Sequence, residues 1–326
     1  MRTSVCAFAS VALLAAFVPG RPAAFEPMRG CFIADAACPA LASIRKGSNP
    51  GAIATVPGHG YELQGANSRE ATHFQILIEG AEPRQRWVEI TCGHAAPSCE
   101  EPEQSQGGGE ASLPDNVLAT SWQPAFCELR RRTPECRSQS PSRFDASHFA
   151  LHGLWPGPQE NVYCGVSGLV QAIDEAGHWE RLPPVRLSGR MRAELEEAMP
   201  GTRSHLDRHE WIKHGTCYRA TAEKYFRDSL QLLEDLNRSP VRELFAGRIG
   251  EQVSLGEIRT AFDEAFGPGA GDAVGMDCED GLIIELRIHL RGEIREETTL
   301  PELLSAAPPA PPGCPRGRID AAGFGP

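Results

Sequence analysis

The sequence predicts an α+β protein preceded by a small β module. Strand-like and helix-like stretches are interspersed without the regular βαβ rhythm of a doubly wound sheet. A polar, glycine-rich and acidic run, Glu100-Glu101-Pro102-Glu103-Gln104-Ser105-Gln106-Gly107-Gly108-Gly109-Glu110, divides the chain and reads as a flexible linker. The 326 residues are 41% apolar and 23% charged, which suits a substantial core and argues against global disorder.

Residues 1–24 have the layout of a secretory signal peptide. Met1-Arg2 supplies a short basic region, and residues 5–18 an apolar one too short to span a bilayer. Small residues at Gly20 and Ala23-Ala24 offer cleavage sites. The mature protein is therefore expected to be periplasmic or secreted. No later segment is apolar enough to cross a membrane. Cys6 would leave with the leader, and ten of the eleven cysteines then remain, an even number suited to disulfides.

Residues 25–100 read as a separate disulfide-containing β module. Alternation over residues 72–78 and 86–90 predicts strands, and Gly58-His59-Gly60 and Gly65-Ala66-Asn67 supply turn chemistry. Cys31, Cys38, Cys92 and Cys99 suffice for two bridges. His59, His73 and His94 are scattered and suggest no site. The module is expected to have an accessory binding role, with its partner unknown.

Residues 101–115 form the linker and 116–326 the second domain. Residues 117–122 and 281–290 alternate as strands. Residues 188–199, 224–236 and 254–266 have helical periodicity, the first ending at Pro200-Gly201 and the last at Gly267-Pro268-Gly269. The domain carries no Walker-type loop, Rossmann glycine fingerprint or internal repeat.

The net charge of −11 argues at first against a polyanionic partner. It is unevenly spread: residues 1–119 carry −4, residues 120–220 carry +1, and residues 221–326 carry −8. The near-neutral middle third also holds six of the ten histidines.

Two short segments in that third carry the chemistry. One is Leu151-His152-Gly153-Leu154-Trp155-Pro156. The other is Arg208-His209-Glu210-Trp211-Ile212-Lys213-His214-Gly215-Thr216-Cys217. The second suits a helix stopped by Gly215, with Glu210 and His214, and His209 and Lys213, paired at i,i+4. Two imidazoles, a carboxylate and an ammonium on one short helix can move protons and stabilise negative charge. The competing account is a solvated charged face. Asp207 and Glu210 also have the spacing of a capping box. A zinc site fits poorly, because Lys213 stands where His-Glu-x-x-His needs its second histidine, and His209 and His214 lie about 140° apart around a helix. In the first segment, Gly153 permits close approach of a ligand to the backbone, and Trp155 offers a flat face for a base.

Together these segments resemble the paired motifs of the T2-type ribonucleases, nearest that family's bacterial periplasmic ribonuclease I branch. Ser121-Trp122-Gln123-Pro124-Ala125-Phe126-Cys127 is similar to the family's first core strand and cysteine. Met276-Asp277-Cys278 and Gly313-Cys314-Pro315 are similar to its closing disulfide region. The resemblance covers roughly residues 116–322. It implies an antiparallel sheet flanked by helices, and cleavage of single-stranded RNA, not DNA, by transphosphorylation to a 2′,3′-cyclic phosphate without metal or other cofactor. By motif position it implies His214 as base, His152 as acid, Glu210 and Lys213 as stabilisers of the phosphorane, His209 as a phosphate ligand and Trp155 as a base-stacking ring. Gly157 stands where many members carry an acid, so broad base preference is expected. Cys164 is a candidate partner for Cys217, with Cys278–Cys314 and Cys127–Cys136 as the remaining pairs, although six cysteines allow fifteen pairings. The alternatives are a catalytically silent recognition protein on the same fold and a metal-dependent phosphodiesterase. Cleavage is expected to favour mildly acidic pH, where histidines charge.

Overall fold

A computed structural model of the chain describes residues 25–68, 71–96, 99, 113–158 and 160–324. The expected signal peptide and most of the linker lie outside these residues.

Each of the two units has its own sheet and core. Strands Gln85–Glu89, His73–Leu77, Gly60–Ala66, Cys31–Ala34 and Gly93–Ala96 lie side by side in that order and are all antiparallel, with the short Glu26–Pro27 strand pairing with Gly60–Ala66. Their inner faces bury Phe32, Leu63, Phe74, Ile76 and Val88 in a core of their own. Cys31–Cys99 and Cys38–Cys92 bridge this unit.

The larger unit is α+β. Its sheet centres on Leu282–Arg291, which pairs antiparallel with Asp115–Ser121 and with Val274–Glu279, while Ala150–Pro156 adds outside Asp115–Ser121. Arg316–Arg318 touches it through one parallel pairing, Leu282 with Arg318, and continues antiparallel to Gln252–Ser254. Helices flank this sheet. Helices Gly189–Ala198 and Ala222–Asn237 begin one residue after a hydroxyl cap, Ser188 and Thr221. Leu255–Phe266 begins with a full capping box of Ser254 and Glu257. Apolar side chains from helix and sheet, among them Trp122, Phe149, Tyr225, Phe226, Phe245 and Ile288, close a second core. The bridges here are Cys127–Cys136, Cys164–Cys217 and Cys278–Cys314, the candidate pairs among the fifteen possible pairings.

The Gly93–Ala96 edge of the small sheet rests against the large unit. A Cβ on Gly165 would sit 1.8 Å from the Ala95 carbonyl oxygen, so the chain passes there at backbone contact. Gly165 also has a φ of +70°, which favours glycine independently. The His94 ring meets Trp211 edge to face at 6.4 Å, and Arg186 pairs with Glu89.

Candidate active site

A β-bulge builds the first half of the site. In the register of Ala150–Pro156 against Asp115–Ser121, Ala119 faces Gly153 and Thr120 faces Leu151, so His152 is the extra residue. Residues three apart on a regular strand point to opposite faces. The bulge turns His152 to the same side as Trp155. Both then reach Glu210: Trp155 Nε1 donates to Oε2 at 3.0 Å, and His152 Nε2 lies 3.4 Å from Oε1.

The second half is the helix Leu206–Lys213, whose far end turns through His214 into a 3-10 turn, Gly215–Cys217, tied by Cys164–Cys217. Two local features differ from the expected ones here. Asp207 does not form a capping box with Glu210. It is buried and accepts from Arg192 at 2.7 Å, while Glu210 points into the site. The helix does stop at Gly215, directly after its cap His214, but not through a left-handed glycine: a Cβ there would meet the Trp211 ring at 2.3 Å, so glycine is needed for packing.

Glu210 is fully buried. A Cβ at Gly153 would fall 1.8 Å from its Oε2, so Gly153 makes room for this carboxyl rather than for a ligand. Glu210 Oε1 has no hydrogen-bond partner, although His209 Nε2 lies 3.8 Å away. Burial raises the Glu210 pKa; His152, His209 and the Trp155 hydrogen bond oppose that rise without cancelling it.

The two motif histidines are biased in opposite directions. His152 Nδ1 makes a short contact with Glu285 on the central strand. Burial disfavours its charged form, but the Glu285 bond and charge, with Glu210, outweigh burial and push its pKa up to about 9. The 31% of its side chain open to solvent weakens the burial effect and supports that direction. His214 is buried and stacked on Trp155 with ring centres 5.3 Å apart. Burial, followed by the neighbouring Lys213, His209 and His152, lowers its pKa to about 3. One ring is thus protonated and the other neutral across the whole neutral range.

His209 is held by partners that its own segment does not contain. Its Nδ1 lies 2.8 and 2.9 Å from the two oxygens of buried Asp174, and its ring stacks on Trp179 at 4.5 Å. Lys213 has no ion-pair partner among the described residues and borders a cavity of about 580 Å³ with His214, Trp155, Asn116, Gly157 and His289. On the His152 side lies a second cavity, about 300 Å³, bordered by Phe126, Trp179, Glu135, Ser204 and Glu285. The structure thus gathers His152, Trp155, His209, Glu210 and His214, with Lys213 at the rim. Glu285, Asp174 and Trp179 are additions that neither motif announced. Among the described residues, no group of three or more His, Cys, Asp or Glu is placed to hold a metal ion.

An α+β domain that brings a protonated and a neutral imidazole around a buried carboxyl has the equipment of an acid–base transfer enzyme. The model of the Ribonuclease T2 family matches residues 116–294, and the chain belongs to that family: it is an RNA-cleaving endoribonuclease. It is 30% identical over 207 residues to Ribonuclease I of Escherichia coli (strain K12), covering 54% of this chain and 75% of that one. It is 25% identical to Ribonuclease 1 of Arabidopsis thaliana, over 45% of this chain and 61% of that protein. Among solved structures, the self-incompatibility SF11-RNase of Nicotiana alata aligns with a TM-score of 0.43 at 16% identity, covering 64% of this chain and 99% of that one. The matched span begins after the small β module.

Proposed function

We propose that this chain is an exported endoribonuclease that cleaves single-stranded RNA by transphosphorylation to a 2′,3′-cyclic phosphate, without a metal. The observation that carries this reading is the opposite bias of His214 and His152. Neutral His214 takes the proton of the 2′-hydroxyl, whose oxygen then attacks the adjacent phosphorus. Protonated His152 gives its proton to the departing 5′-oxygen. The new O–P bond and the broken P–O bond balance, and one proton enters and one leaves the protein. RNA supplies its own nucleophile, so DNA, lacking the 2′-hydroxyl, is not a substrate.

Glu210 and Lys213 face the charge that builds on the phosphorane. Glu210 would act through its unpartnered oxygen, and the raised pKa that burial gives it lessens the repulsion a carboxylate would exert. His209 is assigned a phosphate oxygen. Trp155, one face of which is covered by His214, borders the 580 Å³ cavity and is assigned a base there. Gly157 brings no acid to that cavity, and Asp115, which borders it beside Gly157, is paired with Arg291; broad base preference is assigned on this basis. Five disulfides support export to an oxidising compartment. Residues 25–100 are assigned an accessory role.

The test is RNA cleavage in excess EDTA, with analysis of product ends. Cyclic phosphate ends are expected from the wild type. His152→Ala and His214→Ala are each expected to lose about 10²–10⁴-fold in kcat. A requirement for added metal, or near-normal activity in either variant, overturns the reading.

A further inference from the structure

In a chain of net charge −11, unpaired cations that gather near the site carry information. Three lie on the segments that border the His152 cavity, one or two residues from its lining. Its wall is formed partly by Leu129 and Arg130, by Glu135, and by Gly201 and Ser204. The same segments carry Arg132, Arg137 and Arg203, all exposed. Arg132 and Arg137 have no hydrogen-bond or ion-pair partner for their side chains among the described residues. Arg203 Nη1 donates to the Ser138 hydroxyl at 3.1 Å, where Arg143 Nη1 also converges at 3.0 Å, and its charge is also felt by Asp145, whose direct partner is Arg143. Most neighbouring carboxylates are already occupied: Glu128 by Arg131, Glu279 by Arg130, Asp145 by Arg143, and Glu135 by Ser204. Asp280 also lies near Arg130. The Cys127–Cys136 bridge holds the segment that carries Arg132.

The chemistry supplies a direction. His152 protonates the 5′-oxygen of the nucleotide on the 3′ side of the cut, so that nucleotide occupies the cavity beside His152. Its own 3′-phosphate then leads out over the rim, whose segments carry these guanidiniums one or two residues from the lining positions Arg130, Glu135, Gly201 and Ser204. We propose that Arg137 and Arg203, with Arg132 on the bridged loop beside them, form a subsite for the phosphate one step downstream of the scissile one. The ligand is the backbone of single-stranded RNA longer than two nucleotides. A guanidinium fork suits a phosphate, and Arg203 exchanges a neutral hydroxyl for an anionic oxygen. This rests on the ribonuclease reading and on His152 as the acid.

The experiment compares kcat/KM for a dinucleoside monophosphate, the same compound with a 3′-phosphate, and the same compound with a 5′-phosphate. In the wild type the 3′-phosphate is expected to raise kcat/KM by about tenfold, as one charge-assisted contact would. The 5′-phosphate should change it little. The logarithmic salt dependence should steepen by about 0.7 for the 3′-phosphorylated substrate. In the Arg137→Gln/Arg203→Gln double variant the 3′-phosphate advantage should fall to about one. Arg45→Gln, which removes a charge from the small β module, should leave that advantage intact. Absence of a gain from the 3′-phosphate, or its survival in the double variant, overturns the subsite alone. Failure to cleave any of the three compounds overturns the ribonuclease reading and the subsite with it.

Discussion

Two fully buried charged side chains, one in each unit, show the difference between charge used for structure and charge held for chemistry. Arg86 of the small β module has no solvent exposure, yet all five of its N–H groups are satisfied. They donate to the carbonyls of Pro83, Ala40, Pro50 and Glu82 and to the side-chain oxygen of Asn49, at 2.8 to 3.3 Å. Glu210 of the larger unit is equally buried, but one of its oxygens has no donor. Buried polar groups are nearly always satisfied, so this exception, with His152 Nε2 at 3.4 Å as its nearest cation, is what sets Glu210 apart from Arg86. The Arg86 network is closed, and the Glu210 network is left open.

The largest expected effect tests the closed network. Arg86→Ala leaves five acceptors, four of them main-chain carbonyls, without their donors and should cost at least about 3 kcal/mol of module stability. Below the resulting unfolding transition, kcat should stay within about threefold of wild type. Calorimetry and RNA cleavage on the same sample decide it. A loss of kcat as deep as the loss of stability would mean that the module takes part in catalysis.

Glu210→Gln tests the open network and should reverse the pattern. Its amide can neither take up nor release a proton as the carboxyl does, and kcat should fall by about 10²-fold. Stability should be unchanged or improved. The folded-state pKa of Glu210 is raised, so the wild type loses stability as pH rises through and above the ordinary carboxyl range, and the glutamine variant escapes that loss. Thermal melts across pH 4–8 read this directly. A melting temperature that drops with kcat would place Glu210 with Arg86.

How much of this was legible in the sequence follows from distance along the chain. His152 and Trp155 share one strand, and His209, Glu210, Lys213 and His214 share one helical turn and its end, so local spacing brought them to notice. The groups that tune them are remote. Glu285 is 133 residues from His152, and Asp174 is 35 from His209. Alternation predicts a strand near residues 281–290 but not which of its residues lies opposite a bulge two strands away. The bulge at His152 is itself a matter of pairing register. Gly153 and Gly215 were visible as glycines, but their reasons, the Glu210 carboxyl and the Trp211 ring, are tertiary. The small β module was legible as strands and cysteines. Its place behind the helix Leu206–Lys213 was not.

Glu285→Gln sharpens the comparison inside the site. Removing this carboxylate takes away the main group that holds His152 protonated, so its pKa should fall from about 9. Because His152 must be protonated to act as acid, the alkaline limb of the pH–rate profile moves to lower pH. Once that limb lies below pH 8, activity at pH 8 should drop about tenfold for every further pH unit it moves, with little change near pH 5. The acid limb, set by His214, should not move. A uniform loss at every pH would show that Glu285 orients the ring without setting its charge.

The smallest expected effect lies where the two units touch. His94 pairs with Asp35 at 3.2 Å and sets its ring edge against Trp211, the residue beside Glu210 on the catalytic helix. The backs of Trp211 and Ile212 therefore lean on the module, while His209 and Glu210 lean into the site. His94→Ala removes this contact and leaves Asp35 with one partner fewer. The helix remains tied by Cys164–Cys217 and packed on Tyr225. A stability loss of about 1 kcal/mol and a change in kcat below about threefold are expected. If kcat fell tenfold at unchanged melting temperature, the module would be setting the position of Glu210 through Trp211. The separation between a structural unit and a chemical one would then fail at this contact.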